Sequence, residues 1–153
     1  MSDTDLSVED ERATRLLIEL TYRYGRAMDD RDWEAFRSVF TDDVHVNLGD
    51  TYILTGRQEI TDAVRPLIEA CSITHHMMTN HLVELDGDRA TMGLYCRAFH
   101  KGSGTKANQT YECLARYTAA AVRTNGEWAI SEWNETVYYD WGSQDVLIPD
   151  PLP

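Results

Sequence analysis

The densest group of residues able to do chemistry is the stretch THHMMTNH at positions 74–81, which holds His75, His76 and His81, three of the five histidines in the chain. An imidazole can take and return a proton near neutral pH, and a carboxylate on its far nitrogen fixes the tautomer that does so. Strand alternation predicts His76, Met78 and Asn80 on one face and His75, Met77, Thr79 and His81 on the other. The carboxylate to consider is Asp29, in RAMDDRDW. Five residues beyond Tyr24 on a helix, it is rotated from it by about 140°, outside the apolar stripe, so on its own it reads as a solvated charge. His100, in AFHK, ends the following strand and could approach the same space. His75 and His76 point apart in a strand, and neither an HExxH helix nor a closely spaced carboxylate accompanies them, so no metal site is expected. The chain has no GxSxG elbow, no GxxxxGK[ST] loop and no GxGxxG turn, which removes the usual serine-hydrolase, nucleotide and dinucleotide signatures.

These residues need a scaffold, and the composition is that of an ordinary globular chain: 153 residues, 42% apolar and 26% charged, sized for one domain over 1–153. Fourteen Lys and Arg against 26 Asp and Glu give a formal charge of −12, which repels nucleic acid and anionic lipid surfaces. The acidic start and the lack of a long apolar run predict a cytoplasmic protein with no membrane partner. Cys71, Cys96 and Cys113 are widely spaced and read as buried, reduced thiols.

Residues 1–6 are polar and expected to be flexible, after which Ser7 with Asp10 forms a capping-box start. Ala13, Leu16, Leu17, Leu20, Tyr24, Ala27 and Met28 then recur at helical spacing. A second short helix is expected at Asp32–Phe40. From Val44 the alternation VHVNL, the turn signal GD at 49–50 and the run TYILT predict a hairpin. Thr55 with Gln58 resembles another capping box, opening a helix that Pro66 should kink or divide. Four strands follow, over 74–85, 89–101, about 108–123 and 128–140, separated by DGD, GSG and TNGE turns, an antiparallel meander. Helices first and long strands afterwards predict an α+β fold whose curved sheet wraps around the helices and encloses one pocket. The tail at 142–153, with three of the four prolines, is expected to be disordered or a flap. Tyr95, Tyr111, Tyr117, Trp128, Trp133, Tyr138, Tyr139 and Trp141 crowd the strand half; those facing a cavity would suit a flat, polycyclic small-molecule ligand.

The order YRYGRAMDDRDWEAFRSVFTDDVHV, THHMMTNHLVELDGDRATMGLYCRAFH and WAISEWNETVYYDW resembles the SnoaL-like, scytalone-dehydratase-like domains of the nuclear-transport-factor-2-like superfamily, from about Asp10 to Trp141. The resemblance implies a cone-shaped curved mixed sheet. It also implies that the helix frays or turns at Asp29, so that this carboxylate pairs inside a pocket with His76, as in the dehydratases and dehydrochlorinases of that group. Tyr24 matches a pocket tyrosine of a bile-acid dehydratase, and His100 a second histidine of scytalone dehydratase. The water-holding tyrosines of the latter fall at Met28 and Leu48, and its serine and asparagine near Ala115 and Tyr117, so substrate and acid must differ. The expected activity is that of a lyase or isomerase without cofactor, a dehydratase first, with a polyketide cyclase or double-bond isomerase as the alternative. Asp29 and His76 would be the catalytic pair, and Tyr24, Leu48, Asn80, His100 and Trp133 would assist or shape the pocket. A homodimer or homotrimer is implied by analogy alone. A small-molecule-binding or dimerisation module is the non-enzymatic alternative.

Overall fold

The computed structural model describes residues 7–151; the expected flexible segment at 1–6 lies outside them. Helix α1 (Val8–Asp30) opens on the Ser7/Asp10 capping box, with both reciprocal hydrogen bonds present and Glu9, Asp10 and Glu11 opposing the positive end of the helix dipole. It buries Ala13, Leu17, Leu20, Tyr24, Ala27 and Met28 as the periodicity predicts, and also Thr21 and Gly25. It stops where Arg31 takes the left-handed conformation, φ 56°, and returns its N–H to Ala27 and Met28. Helix α2 (Trp33–Ser38) follows at once, capped by the Asp32 side chain on the Ala35 N–H. Phe40, expected at the end of this helix, instead begins strand β1 (Phe40–Leu48).

Strand β2 (Tyr52–Thr55) pairs antiparallel with β1, completing the predicted hairpin. Helix α3 (Arg57–Glu69) differs from expectation in two ways. Its N-cap is Gly56, at φ 97° and without a side-chain cap, because the Thr55 N–H is taken up by Glu59 four residues on rather than by a box with Gln58. Pro66 does not divide it, since it falls in the last turn and its missing N–H removes only one bond of the ladder.

The meander is β3 (Cys71–Asp86), β4 (Arg89–Gly102), β5 (Thr110–Thr124) and β6 (Glu127–Gly142). The six strands form one sheet in the order β2-β1-β6-β5-β4-β3, antiparallel throughout except for the parallel pair β1–β6. Bulges at Thr79/Leu82, Leu114/Ala115 and Ala120/Ala121 help bend it, and it remains unclosed, with β2 and β3 as edges. The helices lie on the concave side. There Tyr24, Phe36, Phe40, Tyr117 and Trp133 pack at ring separations of 4.7 to 6.4 Å and fill one end of the cone. All three cysteines are buried and free.

The segment after β6 is ordered as far as it is described. A short 3₁₀ turn (Gln144–Leu147) presses Val146 into the core, where the Val146 carbonyl accepts from the Cys71 thiol. Asp150 then accepts from the N–H and the hydroxyl of Thr105 at 3.1 and 2.9 Å. The expectation of a disordered tail therefore does not hold for residues 142–151, because one buried valine and one carboxylate tie the segment down.

Candidate active site

Helix α1 crosses strand β3, and Gly25 sets their separation: a Cβ there would lie 3.1 Å from Met78 Cγ and 3.3 Å from His76 Cβ. One turn further along the helix, on the same face, stands Asp29. Its Oδ1 accepts from His76 Nδ1 at 2.7 Å and from the Thr74 hydroxyl at 2.9 Å, while Oδ2 accepts from the His76 backbone N–H at 2.9 Å. The side chains of Asp29 and His76 are 20% and 6% exposed, so this is a largely dry pair rather than a surface bridge. Burial pushes the Asp29 carboxyl upward, but the ring, charge and N–H of His76 with the Thr74 hydroxyl outweigh it and hold the group below its ordinary range.

Helix α1 does not fray at Asp29, as the resemblance implied. It runs through Asp30 and turns at Arg31, whose guanidinium donates to the carbonyls of Asp29, Ile68 and Cys71 and to the Thr74 hydroxyl, at 2.7 to 3.2 Å. One half-buried cation thus ties the end of α1, the end of α3 and the start of β3 together. Thr74, having accepted from Arg31, donates to Asp29. Neither Arg31 nor Thr74 stood out in the sequence.

The other anticipated residues divide. The His100 ring meets that of His76 edge-on, 5.3 Å between centroids, with its Nδ1 3.4 Å from the Tyr111 carbonyl. Burial, then the neighbouring His76, lowers it to about 4, so it is neutral near pH 7. Tyr24 and Trp133 are buried with ring centroids 4.8 Å apart, and the Trp133 indole N–H meets no acceptor among the described residues. Burial, then the charge of Glu135, pushes Tyr24 well above the ordinary phenol range. Leu48 is half-buried beside Glu135 in the parallel pair β1–β6.

Asn80 does not face inward. The bulge at Thr79–Leu82 places it at φ 56°, exposed, accepting from the Thr79 hydroxyl. His81 takes the inward position instead, its Nε2 2.6 Å from the Thr21 hydroxyl. The alternation argument fails at that one extra residue.

Besides these groups, Asp29 and His76 border an open groove of about 700 Å³ between α1 and β3, rimmed by Tyr22, Arg26, Asp30 and Met77. This differs from the enclosed pocket that was anticipated, since aromatic side chains occupy the narrow end of the cone. Among the described residues no group of three or more His, Cys, Asp or Glu is placed to hold a metal ion.

Residues 8–134 match the model of the SnoaL-like domain. The chain belongs to the SnoaL-like family. Among solved structures, this SnoaL-like chain is similar to the Kfla4162 protein of Kribbella flavida, at 28% identity over 92% of this chain and 99% of that one, with a TM-score of 0.80. It also shares its fold with a hexachlorocyclohexane dehydrochlorinase of the third LinA type from Novosphingobium barchaimii, at 21% identity over 96% and 100% and a TM-score of 0.77. A candidate scytalone dehydratase from Novosphingobium aromaticivorans superposes with a TM-score of 0.79 at 15% identity, over 86% and 88%. No match is found among curated proteins. The nuclear-transport-factor-2-like cone is therefore the fold of this SnoaL-like chain, and no helix among its described residues is long and apolar enough to cross a membrane.

Proposed function

We propose that this SnoaL-like protein is a cofactor-independent lyase or isomerase, most simply a dehydratase, in which His76 is the base and Asp29 its partner. The observation that carries the reading is the 2.7 Å contact between His76 Nδ1 and an Asp29 carboxylate held by two further donors. With Nδ1–H donated to the carboxylate, Nε2 keeps its lone pair and accepts a proton from a carbon next to a carbonyl or allylic centre. Asp29 then stabilises the imidazolium that forms. His100, neutral and edge-on to His76, adds no positive charge that would oppose this. The groove beside the pair, with Tyr22, Met77 and Met78 among its lining residues, suits a small hydrophobic molecule. The dehydrochlorinase and candidate dehydratase with the same fold carry out or are assigned eliminations, which supports this class of reaction without fixing the substrate.

Cyclisation or double-bond migration would begin with the same proton abstraction and remains within the proposal. The test is turnover and binding of β-hydroxy ketones by the parent, His76→Gln and Asp29→Asn. Loss of turnover by about 10²–10⁴-fold with binding retained is the expected result, the range a positioned base supplies. Tight binding with no turnover by the parent on any dehydratable or enolisable ketone would instead make this a carrier.

A further inference from the structure

Besides the dyad, the groove of about 700 Å³ between α1 and β3 is bordered by Tyr22, Arg26 and Asp30 on the helix and by His75 and Met77 on the strand. Its size is that of a small-molecule site. Arg26 is the only arginine or lysine among the described residues that line it, and proton abstraction makes no use of it. It precedes Asp29 by three residues, so the two side chains are neighbours on the surface of α1, about 4.5 Å apart along its axis. A small molecule seated in the groove therefore meets both. Arg31, beyond the end of the helix, is spent on four acceptors. Arg26 is not: among the described residues its guanidinium makes no hydrogen bond, and its one ionic partner is Asp30, 3.5 Å from Nε. These two side chains are 84% and 63% exposed, and the arginine precedes the acid, the weaker order on a helix, so the pair contributes little and yields to a competing anion. A planar fork of N–H donors left open in this way binds a carboxylate through two parallel N–H···O bonds. Tyr22 and Met77, both exposed, add apolar surface on the two walls. A chain of formal charge −12 repels anions over most of its surface, so a local cation beside the dyad is what an acidic substrate needs.

Resting on the reading of His76 as the base, we propose that Arg26 is the substrate-binding residue that selects small hydrophobic carboxylic acids. The carboxylate lies on the Arg26 fork and displaces Asp30, the apolar body lies between Tyr22 and Met77, and the carbon to be deprotonated is presented to His76. Arg26 takes no part in the proton transfer. It holds the acid equally in the ground state and the transition state, so its charge sets KM and leaves kcat alone.

The test compares an acid with its neutral ester. The substrates are para-(β-hydroxypropanoyl)benzoate, a β-hydroxy ketone that carries a carboxylate, and its methyl ester. The ligands without a hydroxyl to lose are para-propanoylbenzoate, its methyl ester and para-(aminomethyl)propiophenone. Calorimetric titration of the parent should give para-propanoylbenzoate binding about 10-fold tighter than its ester, a margin that shrinks as salt is added. In Arg26→Gln that margin should vanish, with KM for the hydroxy acid raised about 10-fold and with kcat, the ester kinetics and thermal unfolding unchanged. Arg26→Lys should keep part of the margin, and Arg26→Glu should reverse it. Equal binding of acid and ester by the parent, tighter binding of the amine, or a margin that survives Arg26→Gln would overturn the assignment. So would an Arg26→Gln enzyme that loses kcat on both substrates alike, the mark of a structural role. The titrations need no turnover, so the base is judged separately: a parent that prefers the acid yet dehydrates neither hydroxy ketone would bear out the Arg26 site while removing the role given to His76.

Discussion

Replacing His100 by Gln should remove much of this protein's sensitivity to mild acid. The ring of His100 is 6% exposed, and burial, then His76, depresses it from 6.5 to about 4, against the opposing pull of the Tyr111 carbonyl and Asp29. A histidine lowered on folding takes up a proton more readily when unfolded. Stability is therefore fully present above about 6.5 and is lost as pH falls toward 4. At pH 5 the two values give a loss of about 2 kcal/mol relative to pH 7.5, approaching about 3 kcal/mol as the folded ring itself titrates. With a urea dependence of about 2 kcal/mol per molar, the unfolding midpoint should drop by about 1 M. Glu135 contributes to the pH dependence with the opposite sign, because burial raises its folded carboxyl. The informative quantity is therefore the difference between parent and variant. Urea melts followed by circular dichroism at both pH values should show the parent losing about 2 kcal/mol more than His100→Gln. Parallel losses would refute the reasoning and mean that the ring protonates in place without penalty.

Two further substitutions probe the scaffold of the dyad. Thr74→Val removes one of the donors to Asp29 Oδ1 and one acceptor of Arg31, so the unfolding free energy at pH 7 should fall by about 2 kcal/mol, the scale of a hydrogen bond to a charged group. Because the depressed Asp29 carboxyl stabilises the fold above about 3.9 and ceases to do so as it protonates, the deficit should shrink in melts taken below that value. Gly25→Ala gains about 1 kcal/mol of helix propensity but sets a methyl 3.3 Å from His76 Cβ, so thermal stability should change little. Turnover, by contrast, should fall about 10-fold as His76 is displaced by a few tenths of an ångström, and unchanged turnover would show that the spacing is not critical.

Much of the architecture was legible in advance, because long segments of one period dominate it. The first helix, the hairpin and the four-strand meander follow directly from spacing and turn residues. Asp29 was not, and the reason is specific. Counting only apolar residues finds the stripe of Leu17, Leu20, Tyr24, Ala27 and Met28, whereas the face of α1 against β3 is the row Thr21, Gly25, Asp29, four residues apart. None of these is a large apolar residue, so hydrophobic periodicity passes over them; only the resemblance to known dehydratases pointed to the carboxylate. Asn80 failed for the opposite reason, since a single bulged residue reverses every later side chain and leaves little trace in composition. Thr74 and Arg31 act through tertiary neighbours 37 to 45 residues away, a distance at which no local pattern operates.

The main-chain amide of residue 76 grips Oδ2 of Asp29, and every amino acid except proline supplies that amide. Shortening the side chain at 76 to glycine would therefore leave the carboxylate anchored by the amide and by Thr74, facing an imidazole-shaped vacancy. Imidazole added to the buffer would find a prepared socket there, with its orienting anion already fixed, so the proposed activity lost in His76→Gly should return when imidazole is supplied.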